Sequence, residues 1–117
     1  MSLKTDYYDG STGLILQMYA AFAAGAAFVA TNLTQLSNSL KASAAAGITV
    51  FTVTITTSDN PAYLRGNNGN NLYNLSYQAG IVDALAGQGV YSYEVSVALN
   101  TKDNINTAID FNFDFGP

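Results

Sequence analysis

Between Leu14 and Ala46 there is no proline, and apolar side chains recur at gaps that alternate between four and three: Ile15, Tyr19, Phe22, Ala26, Val29, Leu33, Leu36 and Leu40. That spacing aligns all eight along one seam of a helix, as in a heptad repeat. The two halves of the segment differ off the seam. From Leu14 to Ala30 nearly every position is apolar, Gln17 excepted, whereas Asn32, Thr34, Gln35, Ser37 and Asn38 make the second half amphipathic. A helix that is apolar all round must be covered all round. An unbroken helix of this span would be on the order of 50 Å long, while a compact chain of this size has a radius of gyration near 13 Å. The helix is therefore expected to break, with Gly25 the first candidate hinge, or to project into neighbouring chains.

Gly47 is the expected helix stop. The period then changes to two. Phe51, Val53 and Ile55 alternate with Thr52, Thr54 and Thr56 over Ile48 to Thr57, the pattern of a β-branched, half-buried strand. Ser58-Asp59-Asn60-Pro61 reads as a turn, and the glycine- and asparagine-rich stretch Arg65 to Asn71 as a polar loop. A second helix is predicted from about Asn71 to Ala86, with Leu72, Leu75, Ala79, Val82 and Leu85 as its inner stripe and Gly87-Gln88-Gly89 as its end. Two further alternating stretches follow. Val90 to Leu99 places Tyr91, Tyr93, Val95, Val97 and Leu99 on one face, and Ile105 to Phe115 does the same with Ile105, Thr107, Ile109, Phe111, Phe113 and Phe115. Thr101-Lys102-Asp103-Asn104 is the hairpin turn between them. Strands with one apolar and one polar face form an antiparallel sheet covered on one side.

The predicted fold class is α+β, in the order α-β-α-β-β. A three-stranded sheet ends in a C-terminal antiparallel hairpin, and the helices pack on its apolar face. Residues 1–117 read as a single domain, with 1–13 as an N-terminal arm.

Composition narrows the function classes. Only 10% of residues are charged, against about 25% in ordinary proteins, and the surface polarity comes from Asn, Thr and Ser. Such a surface suits packing against protein, because each buried charge carries a desolvation cost. The four cations, Lys4, Lys41, Arg65 and Lys102, lie far apart, so no basic run points to nucleic acid. Cysteine and histidine are absent. This removes thiolate chemistry and the usual general base, leaving carboxylates as the remaining route to catalysis. Glu94 and Asp110, on the polar faces of neighbouring strands, are the one carboxylate pair to weigh, and they read as solvated charge on an open sheet face, because strand pairing places such groups without any need for function. Asp110-Phe111-Asn112-Phe113-Asp114 has the spacing that opens a calcium-binding loop, but Phe115 stands where that loop needs glycine. No catalytic, cofactor or metal residues are assigned, and no small-molecule substrate is identified.

The apolar stretch Leu14 to Ala30 is too short and too alanine-rich for a membrane span. Its small residues, from Ala20 to Ala27, predict close helix packing within protein. The eight seam residues are therefore assigned to self-association.

The opening Leu3-Lys4-Thr5-Asp6-Tyr7-Tyr8-Asp9-Gly10, the alanine-rich helix and the closing Tyr93-Glu94-Val95-Ser96-Val97-Ala98-Leu99-Asn100-Thr101 together resemble small structural-type proteins of contractile-tailed cyanobacterial and marine phages. The resemblance implies a virion structural protein present in many symmetric copies, with copies of itself and other virion proteins as partners and no catalytic residues. The alternative expectation is a small binding module, holding a ligand or glycan on the polar sheet face or the Asn-rich loop.

Overall fold

The computed structural model describes residues 2–6, 15–57, 72–101 and 107–117. The polar loop from Arg65, the turn at Ser58 and the hairpin turn at Lys102 lie outside these. A single helical turn spans residues 3–6. The main elements are α1 (Ile15–Thr31), α2 (Leu33–Ala45), β1 (Val50–Thr57), α3 (Leu72–Gly87), β2 (Val95–Thr101) and β3 (Thr107–Asp114). The fold is α+β, as the alternating periods predict.

The sheet order is β1-β3-β2, antiparallel throughout. The C-terminal hairpin joins β2 to β3, and β3 is the central strand. In register, Val53 sits beside Phe111 and Phe111 beside Val97, while Phe51 and Val95 flank Phe113. That row forms the apolar face, with Ile109, Phe111 and Phe113 fully buried. The helices cover this face. Phe28 of α1 stacks on Phe111 with ring centroids 6.2 Å apart, and Phe111, Phe113 and Phe115 continue the stack along β3.

The long N-terminal helix breaks at Asn32, not at Gly25. Asn32 leaves the helical region (φ −106°, ψ 16°), and both its backbone N–H and its side-chain Nδ2 donate to the Phe28 carbonyl, at 3.1 and 2.9 Å. A short amide side chain that competes for the local backbone in this way favours helix ends over helix interiors. Gly25 instead belongs to a close helix–helix contact. A Cβ there would collide with the Tyr77 carbonyl of α3, and a Cβ on Gly80 would collide with the Phe22 carbonyl of α1. The two helix backbones touch, and only glycine allows it.

That crossing also corrects the inner stripe expected for α3. The buried positions are Asn74, Tyr77, Gly80, Ile81 and Leu85, whereas Leu75 is 52% exposed and Ala79 faces solvent. The helix is turned so that Gly80 meets α1 and Tyr77, Ile81 and Leu85, spaced four apart, face the core. Asn74 is the one buried polar side chain among the described residues.

Both later helix ends follow the expected glycine chemistry. Gly47 (φ +73°) and Gly89 (φ +85°) take the left-handed conformation. Ile48 N–H then reaches the Ser43 carbonyl and Val90 N–H the Leu85 carbonyl, each at 2.9 Å, which satisfies the last turn. The stretch from Val90 is not strand at its start. Residues 92–94 turn, with the Glu94 N–H donating to the Tyr91 carbonyl at 2.8 Å and the Glu94 carboxylate accepting the Tyr91 N–H at 3.1 Å. Tyr91 and Tyr93 therefore stack on each other outside the sheet.

Candidate self-association surface

α1 carries no charged residue. Its two sides meet different surroundings. Ala21, Gly25 and Val29, spaced four apart, are buried against α3 and the core. The opposite side presents Tyr19, Ala20, Phe22, Ala23, Ala27 and Ala30, all exposed. Tyr19 is 70% exposed and Phe22 38%, so two aromatic rings stand over a floor of alanine. Scattered apolar residues are normal on a protein surface, but a whole helix face without one charge is not.

The eight predicted seam residues do not share one fate. Val29 and Leu36 are buried inside the subunit, at 2% and 3% exposure. Leu40 packs half-buried against the core. Ala26 sits half-buried at the margin of the α1–α3 contact, while Tyr19, Phe22 and Leu33 reach solvent. The side chain of Ile15 lies outside the described residues. The division falls within α1, between Phe22 and Val29: the buried line of that helix runs through Ala21, Gly25 and Val29, and the seam lies beside that line, passing from solvent at Tyr19 and Phe22 to cover at Val29. The part left for a neighbour is Tyr19, Phe22 and the alanines beside them, with Leu33 beyond the break. The alanines at 20, 23, 27 and 30 lay off the heptad spacing, and only the placement of α3 shows that they are uncovered.

α2 rests on the sheet chiefly through Leu36. A crevice of about 250 Å³ remains beside it, lined by Leu33, Leu40, Leu85, Val90 and Phe113, with Lys41 at its rim.

The outer sheet face is polar and flat. Thr52 Oγ1 donates to Asn112 Oδ1 and Thr54 Oγ1 to Asp110 Oδ1, each at 2.7 Å. Asp114 accepts the Gly116 N–H at 2.9 Å. Asp110 lies opposite Ala98, and Glu94 lies in the turn before β2, so the structure does not bring the weighed carboxylate pair together. Among the described residues no group of three or more acidic side chains is gathered for a metal ion, and no helix is long and apolar enough to cross a membrane.

The chain matches no protein-family model, no curated protein and no solved structure.

Proposed function

We propose that this protein is a non-enzymatic structural component of a virion that assembles as a symmetric homo-oligomer. The observation that carries the reading is the uncharged, solvent-facing side of α1, which presents Tyr19 among alanines, with Phe22 half-covered at its margin. Fully burying an exposed ring is worth about 1.5–3 kcal/mol; Tyr19, 70% exposed, stands to gain most of that and Phe22, 38% exposed, the smaller part. The alanines around them let a second backbone approach closely, as the Gly25–Gly80 crossing does inside the subunit. The elongated form of the subunit supports the same reading: its radius of gyration is 16.0 Å, against about 13 Å for a compact chain of this size. The virion assignment rests on the sequence resemblance, and its partners are copies of the chain and other virion proteins.

A ligand- or glycan-binding module on the outer sheet face is the competing reading. The hydroxyls of Thr52 and Thr54 already donate within that face, which leaves them poorly placed to donate to a sugar.

Sedimentation of the purified protein at tens of micromolar is the test. A discrete species several times the 12.3 kDa chain mass is expected; a clean monomer would remove the proposal.

A further inference from the structure

We infer that the outer edge of β1, which pairs with no strand among the described residues, is a second interface, at which β1 pairs antiparallel with β1 of another copy and joins two sheets into one. The inference deepens the self-assembly reading and rests on it.

The hydrogen bonding fixes which backbone groups are free to pair. Phe115 N–H donates to the Thr49 carbonyl at 2.9 Å, and the register runs without interruption from Val50 opposite Asp114 to Thr57 opposite Thr107. Alternation along an antiparallel ladder then turns the N–H and C=O groups of Phe51, Val53 and Ile55 towards β3. Those of Val50, Thr52, Thr54 and Thr56 point away from the sheet. All four of these residues are exposed.

An edge of this kind is ordinarily protected by a charged side chain, a proline, a bulge or a very short strand. β1 has none of these. It is eight residues long, its pairing has no bulge, and its sequence Val-Phe-Thr-Val-Thr-Ile-Thr-Thr is uncharged and β-branched everywhere except Phe51. The other edge, β2, is less suited. It contains Ala98 and Asn100, poor strand formers.

Unpaired strand amides call for another strand, and β1 is complementary to itself. With a twofold axis through Val53, Thr52 lies opposite Thr54 of the second copy and Val50 opposite Thr56. Every outward amide and carbonyl from Val50 to Thr56 is then paired. Side chains keep their faces: Val53 meets its own copy and Phe51 meets Ile55 on the apolar side, while Thr52 meets Thr54 and Val50 meets Thr56 on the other. No like charges come together, because β1 carries none. Phe51, now only half-buried, gains cover from the second copy.

The absence of cysteine makes the register directly testable. Thr52→Cys and Thr54→Cys are prepared separately, mixed and oxidised gently in air. Directly opposed residues in a hydrogen-bonded pair have Cα atoms about 5.5 Å apart, within disulfide reach, whereas diagonal positions are about 7–8 Å apart. The expected result is a covalent dimer in the mixture, several-fold more abundant than in either variant alone. Thr54→Pro, whose missing N–H and ring fall on the open edge where proline is tolerated, should keep the far-ultraviolet circular dichroism of the parent and lower the sedimenting mass. An assembled parent whose variant mixture cross-links no better than the single variants would overturn the β1 pairing and leave self-assembly standing; a monomeric parent would overturn both.

Discussion

Two glycines hold α1 against α3, and their positions give the sharpest expectations at the scale of single residues. A methyl group at Gly25 would meet backbone, the Tyr77 carbonyl, which cannot rotate out of the way. Gly25→Ala must then separate two helices, and overpacking of this kind costs about 1–3 kcal/mol; a backbone obstacle places it at the upper end. Gly87, at the end of α3, has open space where its Cβ would be. Gly87→Ala should be neutral or stabilise by up to about 1 kcal/mol through helix propensity. Urea denaturation of both variants checks the pair, and equal losses would show that the crossing is looser than described.

Among the elements, the sheet divides its labour by face. Phe111 stacks on Phe28 of α1 and on Phe113, and is fully buried. It joins the helical layer to the central strand. Phe111→Ala should cost about 3–5 kcal/mol, the usual range for deleting a buried ring, and on a domain of this size that threatens the fold itself. Thr54 lies in register beside Asp110 on the other face and makes a hydrogen bond to it at 2.7 Å in an exposed setting. Thr54→Ala should cost only about 0.5–1.5 kcal/mol. Thermal melting in the same buffer checks the contrast. A comparable loss at Thr54 would mean that the polar face is buried in the assembled protein.

For the molecule as a whole, the expectation concerns the divided seam. Phe22 and Val29 lie on the same heptad spacing, yet Phe22 is 38% exposed and Val29 only 2%. Phe22→Asp places its carboxylate in water within a single subunit, so folding should survive while assembly through α1 is lost. Val29→Asp places an unpaired carboxylate in the core, at a cost of several kcal/mol, so the fold itself should fail. Sedimentation together with circular dichroism separates the two outcomes. If both variants simply unfolded, the solvent-facing side of α1 would belong to the core, and the proposed surface would not exist.

Local chemistry determined much of this protein. The change of period from helical to alternating, the stops at Gly47 and Gly89, the apolar faces of β1 and β3 and the antiparallel hairpin were all legible, because each depends on a residue and its neighbours along the chain. So was the close packing of the small residues around Gly25. Tertiary structure decided which side of each helix faces inward. The sequence offers two overlapping apolar lines on α3, one through Leu75 and Ala79 and one through Tyr77 and Ile81, which share Leu85; the backbone contact at Gly80 selects the second and leaves Leu75 in water. The matching signal was present in spacing rather than bulk: Ser76, Gly80 and Ala84 recur at four, as do Ala21, Gly25 and Val29. It has meaning only once the two helices are known to be partners. The division of the seam between Phe22 and Val29 had the same origin. A heptad pattern records that eight positions are apolar and aligned, but whether core or neighbour covers them depends on where the other elements stop, and that is settled in three dimensions.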